Sequence, residues 1–146
     1  MPRALIVGGT GAIGRASARR LLAAGWQVDL TGRNPAHLPP DIAAAGGEFI
    51  AADRANSDQL LAALGDGADL LVDCICYTPA DAARLLPLVR DAGSTVMISS
   101  KAVYVDDTGH HSNSATAPHF DGPIRETQPT VAPGDTDYMT RAGLSG

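Results

Sequence analysis

The stretch that most constrains this chain runs Ala4-Leu-Ile-Val-Gly-Gly-Thr-Gly-Ala-Ile-Gly-Arg15. An apolar run of strand length enters a loop with glycine at positions 8, 11 and 14, and a helical pattern follows at once. A lone glycine marks an ordinary turn or cap. Three in register between a strand and a helix let the backbone approach a pyrophosphate and aim a helix N-terminus at it. Sterics divide the roles. Gly8 makes the tight turn, Gly11 admits the diphosphate, and Gly14 lets the helix pack closely against the sheet. Thr10, Ala12 and Ile13 complete the stretch that would line the ligand.

Strand and helix signals then alternate. Strands are predicted at 4–7, 26–31, 48–52, 69–75 and 95–99. A helix over 13–24 ends at Gly25. A short one at 41–45 is hemmed in by Pro39-Pro40 and Gly46-Gly47. Asn56 or Ser57 caps a helix running to Leu64. Thr78-Pro79-Ala80-Asp81 is a helix start with a threonine cap, proline at the first position and an acid in the first turn. That helix runs to about Asp91, and Pro87 kinks or restarts it. Apolar strands alternating with helices predict an α/β fold, a Rossmann-type doubly wound parallel sheet covered on both faces. It is incomplete, with about five strands and an irregular C-terminal tail. Cofactors bind outside the carboxyl ends of such strands.

Residues 1–100 are thus expected to form an NAD(P)-binding domain. Residues 101–146 carry prolines at 118, 123, 129 and 133 and no periodic pattern. They are either an active-site loop region or a tail whose packing partners are missing. A substrate domain is expected to be absent from these 146 residues.

At 146 residues, with 45% hydrophobic and 18% charged residues, one core can be built. A net charge of −5 argues against a nucleic-acid partner, which needs a basic surface. No apolar run is long enough for a bilayer, and the N-terminus lacks a secretory pattern, so a cytoplasmic location is expected. Cys74 and Cys76 are the only cysteines. On one face of a strand they cannot easily bridge each other, and without a second pair they read as core rather than as metal ligands. No metal site is expected. His110, His111 and His119 read as solvated loop residues.

The candidate contacts lie after each strand. At Thr31-Gly32-Arg33-Asn34 no acid is present to grip the ribose 2′-hydroxyl of NAD. Arg33 offers instead a guanidinium fork for a 2′-phosphate, favouring NADP over NAD, or is simply an exposed loop arginine. Asp29 lies inside its strand and reads as an outward-facing residue. Asp53, before Arg54, can accept from the adenine amino group or serve as a turn aspartate. Both residues are candidate cofactor contacts, as is Cys76, whose backbone ends the fourth strand. Arg15 is close enough to the glycine loop to assist it.

With the glycine loop, Val96-Met-Ile-Ser-Ser-Lys-Ala-Val-Tyr104 resembles the NAD-dependent epimerase/dehydratase family, the extended or atypical short-chain dehydrogenases/reductases. Members show a hydrophobic strand, Ser-Ser, two residues, then Val-Tyr. The resemblance implies that Ser100 is the catalytic serine, hydrogen-bonding a substrate carbonyl or hydroxyl. Taken alone, the two serines are strand-end caps. Ile124-Arg-Glu-Thr-Gln-Pro129 resembles the family's loop near the active site, so the likeness covers residues 4 to about 141.

The chain departs from the family at the general acid/base, a tyrosine followed four residues later by a lysine. Tyr77, Tyr104 and Tyr138 are followed at that spacing by Asp81, Thr108 and Ala142, and Lys101 is the only lysine. The tyrosine position falls at Leu144, two residues before the end, so the chain reads as truncated. The resemblance implies the cofactor-binding part of an NAD(P)-dependent oxidoreductase or epimerase, silent as it stands, with an unknown small-molecule substrate. A non-catalytic NADP-binding sensor is the alternative.

Overall fold

A computed structural model describes residues 1–132. Tyr138, Ala142 and Leu144 lie outside the described residues. The chain divides into two compact units, Met1–Ile98 and Ser99–Gly146.

The first unit alternates β1 (Arg3–Val7), α1 (Ala12–Ala23), β2 (Gln27–Gly32), α2 (Pro40–Ala44), β3 (Glu48–Ala51), α3 (Ser57–Leu64), β4 (Ala68–Asp73), α4 (Pro79–Val89) and β5 (Ala92–Met97). All pairings are parallel, in the order β3-β2-β1-β4-β5. This is the expected Rossmann-type doubly wound sheet. Its strand order reverses between β1 and β4, which opens a crevice at their carboxyl ends.

Each sheet face has its own core, set by the period of two along the strands. Leu5, Val7 and Leu71 pack with Leu60 and Leu64 of α3 and Leu85 and Leu88 of α4. Ile6, Val28, Leu30 and Val72 pack with Ala18 of α1 and Ile42 of α2. Coverage on both sides explains why the central strands lack polar–apolar alternation.

Local chemistry starts the helices where the sequence suggested. Asn56 caps α3 by accepting from Gln59 N at 3.1 Å. Thr78 and Asp81 form a reciprocal capping box on α4. That helix runs on through Pro87 and stops two residues later.

Three expectations are corrected. β5 begins at Ala92, because Ala92 pairs with Ala68, and Gly93 lies in the strand against the Asp69 backbone. Sheet pairing overrides the glycine's value as a stop signal. β4 ends at Asp73, whose own carboxylate takes the Ile75 N–H at 3.1 Å and turns the chain out of the ladder. Cys74 and Cys76 therefore lie beyond the strand, half-buried and free. Asp29 does not face outward. It is 3% exposed, between two covered faces, and its carboxylate pairs with Arg3 at 2.6 Å. Arg3 also donates to the carbonyls of Ala63 (2.9 Å) and Gly67 (2.7 Å), so one guanidinium caps the end of α3 and neutralises Asp29.

In the second unit, Ser100 starts a single 3₁₀ turn (Lys101–Val103). Tyr104 bridges Thr130 in antiparallel fashion. Asp106 organises the loop between them. Its carboxylate accepts from Thr108 N, Thr108 Oγ1, His110 N and His119 N at 2.7–3.0 Å. Those donors hold its carboxyl well below the usual carboxylate range, the His119 N–H most of all.

Candidate dinucleotide site

The glycine loop leaves β1 at the crevice and enters α1. Gly8 has φ +71°, a conformation that favours glycine, and a Cβ there would also lie 2.9 Å from Ile75. Gly14 sits so close to the loop that a Cβ would stand 2.6 Å from the Gly9 Cα. Gly9 meets a constraint that the spacing did not suggest: a Cβ there would lie 2.7 Å from Leu30 Cβ. Gly11 is different. Its backbone (φ −77°, ψ 173°) suits any residue, and a Cβ would meet only the Gly8 carbonyl oxygen at 3.5 Å. Nothing in the described protein requires a glycine there.

Gly11 is also the N-cap of α1, with no side-chain cap and no acid in the first turn. The leading N–H groups of the helix, at Ala12 and Ile13, thus have no intrahelical acceptor and no carboxylate beside them. The Ile13 side chain beside them is exposed. An anion fits such a position.

Thr31, legible in the sequence only as the lack of an acid, tethers the loop. Its carbonyl accepts from Gly9 N at 3.1 Å and its hydroxyl from Gly8 N at 3.3 Å. Thr10 packs on Gly32, where a Cβ would be 3.2 Å from the Thr10 hydroxyl. Beyond them Arg33 is exposed. Arg15 is half-buried and donates to the His37 carbonyl at 3.1 Å, while its Nε has no acceptor among the described residues. A threonine at the end of the strand beside β1 was the available signal for the Thr31 tether.

At the end of β3, Asp53 is exposed and its Oδ1 accepts from Ala55 N at 2.9 Å, a turn contact. Arg54, expected as a cofactor contact, instead turns inward and pairs with the buried Asp73 at 2.6 Å, which draws its side chain away from the surface. Cys76 lies in the β4–α4 connection. Burial and the Asp73 carboxylate raise its thiol above the ordinary value, and Arg54 offsets part of the rise. Burial, with Asp73 second, pushes the Cys74 thiol up to about 11. Neither is an activated thiolate at neutral pH. Among the described residues, no three His, Cys, Asp or Glu side chains are grouped to hold a metal. No helix there is long and apolar enough to cross a membrane. Ser100, in the second unit, is exposed and accepts from Ala102 N at 3.2 Å. The structure thus brings together the glycine loop, Thr31 and the 74–76 connection in one unit.

The profile of the NAD(P)H-binding family matches residues 8–124. The chain belongs to this family. Among curated proteins none matches it in sequence. Solved structures share the fold of this NAD(P)H-binding chain. A short-chain type dehydrogenase/reductase from Mycobacterium ulcerans superposes with a TM-score of 0.61 at 23% identity, over 69% of this chain and 52% of that one. Uronate dehydrogenase from Agrobacterium tumefaciens gives 0.58 at 23% identity, over 73% and 43%. A variant of that enzyme has been solved with NAD bound. Vestitone reductase from alfalfa (Medicago sativa) gives 0.54 at 21% identity, over 77% and 44%. The NAD(P)H-binding chain therefore spans about half the length of these proteins or less, and at such identities the likeness is one of fold. The NAD(P)-binding Rossmann-type domain read from the sequence agrees with the family match and with the shared fold.

Proposed function

We propose that this chain is the dinucleotide-binding part of an NAD(P)-dependent oxidoreductase of the epimerase/dehydratase type, acting on a hydroxyl- or carbonyl-bearing substrate. The observation that carries the reading is Gly11. Its missing side chain serves no packing need, yet it leaves open the space above the uncapped α1 N-terminus. A diphosphate held there would accept from the leading N–H groups of α1, with Gly8, Thr10, Gly11, Ala12, Ile13 and Gly14 lining it. Asp53 and the backbone at Cys76 would flank the adenine end. Arg33, exposed at the end of β2 with no acid beside it, would meet the 2′-phosphate and favour NADP over NAD. When bound, the nicotinamide supplies hydride chemistry. Ser100 would orient the substrate, a role that rests on the resemblance alone.

The 146-residue chain is proposed to bind without turnover, since no tyrosine has a lysine four residues later. General acid–base catalysis is typically worth about 10²–10⁴-fold in rate. Calorimetric titration with NADPH and NADH tests binding, with tighter NADPH binding expected. Absence of binding by either cofactor overturns the reading. NADPH absorbance followed against aldehydes, ketones and nucleotide sugars tests turnover. Robust turnover that disappears in Ser100→Ala would show that the chain carries a working site.

A further inference from the structure

We propose that Arg54 is a positioning residue of this dinucleotide site: through Asp73 and Asp81 it fixes the 74–78 connection against the glycine loop without itself touching the ligand. The inference rests on the dinucleotide reading above.

Arg54 follows β3, two strands away from β1 in the sheet, yet its side chain ends beneath the β4–α4 connection. It is 9% exposed. Its Nη2 donates to Asp73 Oδ2 at 2.6 Å and to the Asp81 carbonyl at 2.8 Å. Both acceptors hold the connection in turn. Asp73 is fully buried, and its second oxygen takes the Ile75 N–H at 3.1 Å. The Asp81 carboxylate takes the Tyr77 and Thr78 N–H groups, each at 3.1 Å. The connection thus has a polar tie at each end, and one guanidinium joins the two ties. Its middle residue reaches the site, because Ile75 packs on Gly8, where a Cβ would fall 2.9 Å from Ile75 Cγ1 and Cγ2.

Stability alone does not account for this pair. Well-packed apolar replacements of a buried ion pair are often neutral or stabilising. Here Nε and Nη1 of Arg54 also find no acceptor among the described residues, which adds a desolvation cost. Apolar packing is non-directional, whereas the two hydrogen bonds from Arg54 Nη2 set both position and direction. Cys74, Ile75 and Cys76 are only half-buried, so packing holds the connection weakly. A connection ordered before the ligand arrives lowers the cost of binding.

The test uses Arg54→Met/Asp73→Leu in the full chain. We expect it to fold with an unchanged or higher Tm and to bind NADPH about tenfold more weakly or worse. The Ile75, Tyr77 and Thr78 amides should exchange with solvent faster than in the unmodified chain. A folded double variant with unchanged NADPH affinity overturns the proposal. Should that variant not fold, Arg54→Lys decides. It keeps a charge near Asp73 but on a stem one bond shorter, which ends short of the Nη2 position from which both acceptors are reached, and unchanged affinity there is equally fatal. In the unmodified chain without cofactor, fast exchange at all three amides also overturns it. If the unmodified chain binds neither NADPH nor NADH, the dinucleotide reading itself fails, an outcome separate from these.

Discussion

Gly11 and Gly14 should separate binding from folding. A Cβ on Gly14 would stand 2.6 Å from both the Cα and the carbonyl oxygen of Gly9. These are backbone atoms, so the loop or the helix must shift, and Gly14→Ala should cost about 1–3 kcal/mol of stability as an overpacked site. A Cβ on Gly11 has only the Gly8 carbonyl oxygen within 4 Å, at 3.5 Å. Alanine there gains ~0.4–1 kcal/mol by restricting the unfolded chain. It loses about 0.5–1 kcal/mol as a poorer N-cap than glycine, so the net change is close to zero. Binding should respond in the opposite order. A side chain at position 11 enters the space above the α1 N–H groups, where a charge-assisted hydrogen bond is worth ~1.5–3 kcal/mol. Losing one such bond weakens binding roughly ten- to hundredfold, and Gly11→Val should show the full effect. Urea unfolding and calorimetric titration with NADPH measure the two quantities on the same samples. The reasoning is refuted if folded Gly11→Val binds NADPH as tightly as the unmodified chain, or if Gly11→Ala destabilises as much as Gly14→Ala.

Arg33→Ala should remove about 1.5–3 kcal/mol of NADPH affinity and leave NADH affinity nearly unchanged; equal affinities of the unmodified chain for the two cofactors would sink the preference. Arg3→Met leaves Asp29 buried without its partner and the end of α3 uncapped, which should cost about 3–5 kcal/mol in urea unfolding, with Arg3→Met/Asp29→Leu recovering much of it. Asp106→Asn turns an amide donor toward one of the donors that Asp106 accepts, so exchange at His110 and His119 should rise by about tenfold or more. The folded-state pKa of Asp106 is depressed, so its contribution is complete above an unfolded value of about 4 and fades as pH falls below it. Hydrogen exchange of the second unit at falling pH, corrected for intrinsic rates, should show that onset, and a loss beginning near neutral pH would contradict it.

The features legible in the sequence are those whose cause is local. Gly8 announces itself because a turn with φ +71° strongly favours glycine, and the Thr78–Asp81 capping box is complete within four residues. The doubly wound parallel sheet is announced by the alternation of apolar strands with helices and by the glycine loop after the first strand. What stays hidden is partnership between residues far apart in the chain. Arg3 and Asp29 meet on one sheet face because Arg3 pairs with Gln27 and Asp29 lies two residues further along β2. Arg54 and Asp73 follow or end strands that are not neighbours, so no spacing rule joins them. Gly9 looks redundant in the motif until Leu30 is seen against it. The same division explains the misplaced start of β5, where a glycine that reads locally as a stop is accepted for its fit against the Asp69 backbone. On the proposed reading, the glycine spacing locates the site, while the buried charges at the carboxyl ends of the strands decide how rigidly the neighbouring connection is held. Substitutions at Gly11 and at Arg54 should consequently weaken dinucleotide binding by different routes, the first by filling the ligand's space and the second by loosening its wall. Only the second should change the exchange of the Ile75, Tyr77 and Thr78 amides before any ligand is added.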